Sequence, residues 1–214
     1  LARLSTCITR QMGLHFPPVR WPELTRGLAA ACQDFGYTDV TSCMHWLLSS
    51  PLTKPQIQTL ARHLTVGETY FFPEKRSLDV FAEHMLPALI SARRGKKQQL
   101  RIWSAGCCTG EEPYSIAILL SNMLPDLAHW EVTILATDIN LAFLQKAAEG
   151  VYNEWSFRTT DPAMQEKYFT RTGSGGFAIL PHLKKMVQFA YCNLAGESTP
   201  LLVNDAQTMD VIFC

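Results

Sequence analysis

A glycine-bounded loop followed by two acidic residues is the stretch of this sequence best suited to chemistry. It reads G-C-C-T-G-E-E over residues 106–112. A loop between a strand and a helix points backbone N–H groups at a ligand. The glycine spacing matches neither the dinucleotide motif nor the P-loop, and no lysine is present to meet a phosphate. Glu111 and Glu112 instead place negative charge there, which favours a ligand with cationic or hydroxyl groups.

An aspartate lies where a second contact to such a ligand is expected. The apolar run V-T-I-L-A-T (132–137) predicts a strand, and Asp138 ends it. Asp138 follows the loop by about one βαβ unit, where a carboxylate can accept hydrogen bonds from two ribose hydroxyls. Helix capping is the alternative role, but Asn140 is the better cap for the next helix. S-adenosylmethionine, with its ammonium, sulfonium and ribose, fits both features.

Alternating strands and helices must position these residues. Residues 100–105 predict a strand, and a helix follows from Pro113 to about Leu124, since proline suits a first helical turn. The alternation indicates an α/β domain over 100–214. Further helices are predicted at 140–149 and 161–169, and further strands at 177–180, 186–191 and 210–214.

The chain before this domain is different in character. Residues 1–66 contain four short helical segments separated by proline and glycine, which predicts an N-terminal all-α domain. Residues 67–99 are a junction segment and a linking helix, which Ser77 caps and Pro87 bends or divides. The run L-T-V-G-E-T-Y-F-F-P (64–73) is too aromatic for a solvent loop. It either packs at the junction or covers the ligand, with Thr69 as a polar contact.

The bulk composition excludes several classes of function. Formal net charge is zero, so nothing favours nucleic acid, and no apolar run is long enough to span a membrane. The basic cluster R-R-G-K-K (93–97) is better explained as a helix end than as a nucleic-acid site. Seven cysteines without a C-x-x-C pair, together with dispersed histidines, predict reduced thiols and no metal site. We expect a cytoplasmic monomer.

The last residues, D-V-I-F-C (210–214), predict a buried strand at which the sequence ends. An intact domain does not normally end inside a strand, so a C-terminally truncated domain is expected.

Several blocks of this sequence together resemble the CheR family of chemotaxis receptor methyltransferases. They occur in a consistent order over nearly the whole chain, and the second is the most specific. The blocks are L-T-V-G-E-T-Y-F-F (64–72), R-I-W-S-A-G-C-C-T-G-E-E-P-Y-S-I-A (101–117), I-L-A-T-D-I-N (134–140), A-x-x-G-x-Y (147–152), N-L (193–194) and D-V-I-F-C (210–214).

The resemblance implies an N-terminal helical bundle and a class I, Rossmann-like methyltransferase domain. It also implies a small β-subdomain at about 160–188, which in such proteins can dock receptor tails. The implied reaction is methyl transfer from S-adenosylmethionine to glutamate side chains in the cytoplasmic domain of a chemoreceptor, giving γ-glutamyl methyl esters and S-adenosylhomocysteine. A glutamate is already ionised at neutral pH, so this reaction needs no general base.

The resemblance also implies the residues that contact the cofactor. Asp138 would accept from the ribose, Glu112 would meet the methionine ammonium and Asn193 would read the adenine. The full set is Gly67, Thr69, Ala105, Gly106, Glu112, Asp138, Ile139, Asn193 and Leu194.

One position departs from the pattern of the family. The segment after the double phenylalanine usually carries arginine, whereas this chain has Pro73. Arg76 is then the candidate for placing the acceptor carboxylate. A non-catalytic module that binds S-adenosylmethionine or S-adenosylhomocysteine is the first alternative. A nucleotide-cofactor oxidoreductase is the second, disfavoured by the glycine spacing.

Overall fold

The structure is a computed structural model, and it describes residues 1–73, 75–196 and 209–214. Contacts between Cα atoms divide the chain into two compact units. Of the described residues, the first unit holds Leu1–Val66, Ile139–Ala142 and 191–196. The second holds Gly67–Asp138, Phe143–Ala190 and 209–214, in each case as far as they are described.

The first unit is built on four helices, as the sequence predicts. Asp39 caps the third by accepting the N–H groups of Thr41 and Ser42, and Thr53 forms a capping box with Gln56 at the fourth. The apolar faces of the helices meet in one buried core. The helices are α1 (Ala2–Met12), α2 (Trp21–Asp34), α3 (Val40–Leu47) and α4 (Lys54–Leu64).

Two cysteines of the first unit correct the prediction of reduced thiols. Cys32 on α2 and Cys43 on α3 form a disulfide, with their Cα atoms 5.9 Å apart. Both side chains lie in the helical core, where packing of α2 against α3 brings them together. Tertiary packing of this kind cannot be derived from cysteine spacing. The free thiols are those of Cys7, Cys107, Cys108, Cys192 and Cys214.

The second unit is organised around a four-stranded sheet, which confirms the predicted α/β class. One of its two central strands, β1, pairs in parallel with β2 and with β7. The register places Gln99 opposite Glu131 and Ala105 opposite Thr137, so that β1 and β2 end together. Along the sheet the order is β6-β2-β1-β7. These strands are β1 (Gln99–Ala105), β2 (Glu131–Asp138), β6 (Val187–Tyr191) and β7 (Val211–Phe213).

A small antiparallel sheet accompanies the parallel one, as the resemblance implies. Its strands are β3 (Val151–Tyr152), β4 (Phe169–Arg171) and β5 (Phe177–Ile179), in the order β3-β5-β4. β3 lies before the expected window of 160–188. A strand of two residues has no periodicity that a sequence could reveal.

Helices complete the second unit. Pro87 lies in the first turn of α6, directly after a π-helical turn at Phe81–Met85, and the run stays helical from Lys75 to Arg93, so Pro87 does not divide it. The predicted cap at Ser77 is wrong, because the helix already begins at Lys75. In the described part of the chain, no helix has the length and hydropathy that a membrane span requires. The helices are α5 (Lys75–Val80), α6 (Leu86–Arg93), α7 (Glu111–Met123), α8 (Leu141–Glu149), α9 (Pro162–Tyr168) and α10 (Pro181–Lys184).

The basic cluster at 93–97 lies at the end of α6, as expected. Arg93 donates to both carboxylate oxygens of Asp210, which raises the pKa of the guanidinium. Arg94 pairs with Asp126 at 2.8 Å. Both arginines therefore have carboxylate partners within the second unit.

Candidate functional site

The carboxyl ends of β1 and β2 are tied together by Thr137. The indole Nε1 of Trp103 donates to the hydroxyl of this threonine at 2.9 Å. The carbonyl of Thr137 accepts the N–H groups of Gly106 at 2.7 Å and Cys107 at 2.9 Å. The loop between β1 and α7 is therefore held from its first residue onward.

Asp138 fixes the middle of the same loop. Its side chain accepts the N–H of Cys108 at 2.9 Å, and the residue is only 9% exposed. Cys108 has a φ of 49°, a left-handed conformation that is uncommon outside glycine. The predicted ribose-binding carboxylate thus lies directly against the predicted ligand loop. Asn140 caps α8 by accepting the N–H of Ala142 at 2.9 Å, which confirms that it, and not Asp138, is the cap.

The two glycines of the loop have different surroundings although both have positive φ. A Cβ at Gly110 (φ 95°) would lie 2.8 Å from the Cβ of Ala147 and 2.9 Å from the hydroxyl of Tyr152. A Cβ at Gly106 (φ 88°) would have no heavy atom within 4 Å. Gly110 is therefore required by packing, whereas Gly106 and the neighbouring half-exposed Ala105 border open space at the end of β1.

The two glutamates after the loop differ in burial and in their hydrogen-bond partners. Glu112 is half-buried and accepts a hydrogen bond from Ser104 at 2.6 Å. Burial raises the pKa of its carboxyl, although the bond from Ser104 opposes the shift. Glu111 is 3% exposed and accepts from the hydroxyls of Thr109 at 2.6 Å and Ser156 at 3.0 Å. The expectation that both face a ligand is wrong for Glu111, which turns inward.

The two cysteines of the loop are poor nucleophiles. Burial raises the pKa of the Cys107 thiol well above its ordinary value, and that of Cys108 to about 11. Because the thiolate is the reactive form, neither side chain is suited to covalent catalysis at neutral pH.

The aromatic segment of the junction is anchored in the second unit. Phe71 is fully buried, and its ring stacks on Phe157 with a centroid distance of 4.9 Å. Phe72, at a φ of 57°, donates its N–H to Ser115 at 2.8 Å. Thr69 is half-buried. A Cβ at Gly67 would lie 2.8 Å from the ring of Phe143, so a larger residue there would require the Phe143 side chain to shift.

Three residues that are predicted to contact the cofactor belong to the first unit. Ile139 packs partly buried against the helical core, and Leu194 is 53% exposed. The side-chain amide of Asn193 donates to the carbonyl of Gln11 at 2.7 Å, and its oxygen accepts the N–H of Ala195 at 3.1 Å. The second unit brings together Ala105, Gly106, Glu112 and Asp138.

Arg76 lines a cavity of about 550 Å³ in the second unit. Phe81, Met85 and the 210–214 segment contribute to the same cavity. Pro73 is half-buried. The proposed role of Arg76 in placing the acceptor carboxylate stays a prediction.

Ser104 and Thr137 are the site residues that sequence reasoning missed. Both are fully buried, and they hold Glu112 and the loop in place. A polar residue near the end of an otherwise apolar strand was the available signal, because a buried hydroxyl needs a partner.

Comparisons with known proteins agree with this geometry. Residues 67–214 match the family described as CheR methyltransferase, SAM binding domain. The chain is 35% identical over 159 residues to chemotaxis protein methyltransferase 2 of Vibrio cholerae, covering 74% of this chain and 54% of that protein. It is 30% identical over 216 residues to the chemotaxis protein methyltransferase of Borreliella burgdorferi, covering 100% of this chain and 75% of that protein.

A third relative is the chemotaxis protein methyltransferase of Escherichia coli. It is 30% identical over 216 residues, which cover 99% of this chain and 70% of that protein. The chain thus spans between about half and three quarters of the length of these relatives.

Proposed function

The chain belongs to the CheR family of methyltransferases, and from this we propose that its protein methylates glutamate side chains of a chemoreceptor with S-adenosylmethionine as donor. One observation supports this most directly. Two carboxylates, Glu112 and Asp138, flank a loop whose first glycine borders open space at the end of β1. A donor with an ammonium group and a ribose diol matches that pair of acids.

Different residues of the second unit contact different parts of the cofactor. Glu112 pairs with the methionine ammonium, and Asp138 accepts from the ribose hydroxyls while it holds the N–H of Cys108. Ala105 and Gly106 allow the ligand to approach the backbone. Gly67 and Thr69 are proposed as further contacts. The roles implied for Ile139, Asn193 and Leu194 stay predictions.

S-adenosylmethionine held by Glu112 and Asp138 would supply an electrophilic sulfonium methyl group, which would pass to a carboxylate oxygen of the acceptor as its bond to sulfur breaks and S-adenosylhomocysteine leaves. Because that carboxylate is ionised at neutral pH, the protein supplies alignment and exclusion of water instead of a general base. The raised thiol pKa values of Cys107 and Cys108 keep the loop free of a competing nucleophile.

Titration calorimetry with S-adenosylhomocysteine tests the cofactor site. The intact protein is expected to bind, and Asp138→Ala is expected to lose binding. Asp126→Ala is the matched control, because this aspartate pairs with Arg94 on the surface of the same unit. Equal affinity of the Asp138 variant and the parent would refute the assigned site.

A methylation assay tests the reaction. The intact protein, labelled S-adenosylmethionine and the cognate receptor should give receptor-bound methyl groups that are released by mild base, as expected of carboxyl methyl esters. Label that resists base would identify a different acceptor chemistry. The same assay tests the chemoreceptor as the proposed partner. If the methylated residues lie in the receptor's cytoplasmic domain, the methyltransferase acts in the cytoplasm.

Pro73 favours a second candidate, a module that binds the cofactor without transferring the methyl group. Proline lacks the cation that the resemblance leads one to expect at this position. This candidate predicts binding of S-adenosylhomocysteine without turnover in the intact protein, and gain of turnover in Pro73→Arg. Turnover by the unmodified protein would exclude it.

A further inference from the structure

The turn that follows β3 is packed against the 67–72 segment, and Arg158 is its main polar contact. The guanidinium donates from Nη1 to the carbonyl of Thr69 at 3.2 Å. Its Nη2 lies 3.9 Å from the carboxylate of Glu68. The carbon of the guanidinium is 4.2 Å from the ring centroid of Tyr70 and 4.6 Å from that of Trp155.

This set of contacts uses properties that are specific to arginine. A planar guanidinium can stack on aromatic faces and donate in its own plane at the same time, whereas a lysine ammonium cannot. The side chain of Arg158 is only 20% exposed, so solvent screens these interactions less than it would on an open surface. A further bond, from Nη1 to the carbonyl of Trp155 at 3.0 Å, fixes the guanidinium to its own turn.

The two halves of the 67–72 segment are held by different means. Phe71 is anchored by its buried ring and by its N–H, which donates to the carbonyl of Ser156 at 2.8 Å. Glu68, Thr69 and Tyr70 lie nearer the surface, and the Glu68 side chain is 73% exposed. For these three residues, Arg158 supplies a backbone hydrogen bond, an ion pair and a ring contact.

The same turn also reaches the glycine loop. Ser156 donates to Glu111, which in turn accepts from Thr109 within the loop. The 155–158 turn is therefore connected to both stretches of the second unit for which we propose cofactor contacts.

We propose that Arg158 is a positioning residue for the methyl donor. By holding the carbonyl of Thr69 and the ring of Tyr70, it fixes the 67–72 segment in the conformation that presents Thr69 to the cofactor. This inference rests on the proposed function, because Thr69 is assigned there as a cofactor contact. Arg158 itself need not touch the donor.

The experiment compares Arg158→Gln and Arg158→Lys with the control Arg171→Gln in the intact protein. Arg171 is an exposed arginine of the same unit that stacks over Phe177 at 4.9 Å. The dissociation constant for S-adenosylhomocysteine should rise about tenfold in Arg158→Gln, since a charge-assisted hydrogen bond and two cation–π contacts are lost. Arg158→Lys should recover only part of the affinity, and Arg171→Gln should bind like the parent.

Two further measurements separate positioning from general destabilisation. Hydrogen exchange without ligand should accelerate in Arg158→Gln at the N–H groups of Phe71 and Phe72, which donate to Ser156 and Ser115, and stay unchanged in β1 and β2. In the methylation assay, KM for S-adenosylmethionine should rise about tenfold while kcat at saturation changes by less than about threefold. Accelerated exchange throughout the second unit would overturn the proposal.

Failure of this inference is distinguishable from failure of the proposed function. A parent protein that does not bind S-adenosylhomocysteine, or an Asp138→Ala variant that binds equally well, refutes the function and the inference with it. A parent that binds and an Asp138→Ala variant that does not, combined with unchanged affinity in Arg158→Gln, overturns the role of Arg158 alone.

Discussion

Glu111 and Glu112 show how far two adjacent residues of one type can differ. The buried carboxylate of Glu111 accepts hydrogen bonds from two hydroxyl groups. Glu112 has one hydroxyl donor and a pKa raised by burial above its ordinary value of 4.5. A carboxyl with a raised pKa favours the neutral form, and a bound cation would restore the charged form.

Binding of S-adenosylhomocysteine should therefore depend on pH through Glu112. Protonation removes the charge that attracts the ammonium, so affinity should fall as the pH decreases through the raised pKa. Binding in that range should release a proton. Calorimetry from about pH 8 to about 5, in buffers of different ionisation enthalpy, measures both effects.

Glu112→Gln is the control for this dependence. It removes the titrating group, so its affinity should be lower near neutral pH and nearly constant over the same range. A pH profile identical to that of the parent would show that another group titrates.

At the scale of elements, the β1–α7 loop depends on two glycines for different reasons. Gly110→Ala should destabilise the fold by about 2–5 kcal/mol, because left-handed strain adds to a clash with Ala147 and Tyr152. Gly106→Ala should destabilise the fold by only about 1–2 kcal/mol, the cost of the left-handed backbone conformation, because no heavy atom lies near the added methyl group.

Thermal unfolding and calorimetry of the two variants form a paired test. Gly110→Ala should lower the unfolding temperature more, whereas Gly106→Ala should weaken S-adenosylhomocysteine binding while it stays folded. Equal effects of both variants on stability and binding would contradict the assignment of open space beside Gly106.

The elements that could be predicted from the sequence are those with a strong local signal. The apolar runs ending at Ala105 and Asp138 gave β1 and β2, and proline and glycine marked the helices. β3 is too short for periodicity, and the start of α5 at Lys75 contradicts the capping signal at Ser77. Asp138 could be placed from its spacing after the loop, whereas Arg158 acts through contacts about 90 residues away in sequence, which no local pattern indicates.

At the scale of the whole molecule, the chain returns to the first unit after leaving it. Asn140 donates to the hydroxyl of Thr65 at 2.9 Å, and Asn193 donates to the carbonyl of Gln11 at 2.7 Å. Ile139 packs against the helical core. Residues 1–66 are therefore not the whole of that unit.

A fragment of residues 1–66 should be less stable than the same helices in the full chain. Loss of two hydrogen bonds and of the Ile139 contact corresponds to about 2–4 kcal/mol. Hydrogen exchange in α1 and α4 reports this difference in both contexts. Adding back a peptide of residues 191–196 should slow exchange near Gln11, and equal protection in fragment and full chain would contradict the expectation.

The bond between Gln11 and Asn193 also bears on synthesis. Translation proceeds from the N-terminus, and domains generally fold as units as they emerge. Gln11 leaves the ribosome before Asn193, the residue that donates to its carbonyl, because Asn193 is made 182 positions later. Until Asn193 has been made, the first unit lacks this hydrogen bond, so α1 should reach its full protection only after residues 191–196 have been synthesised.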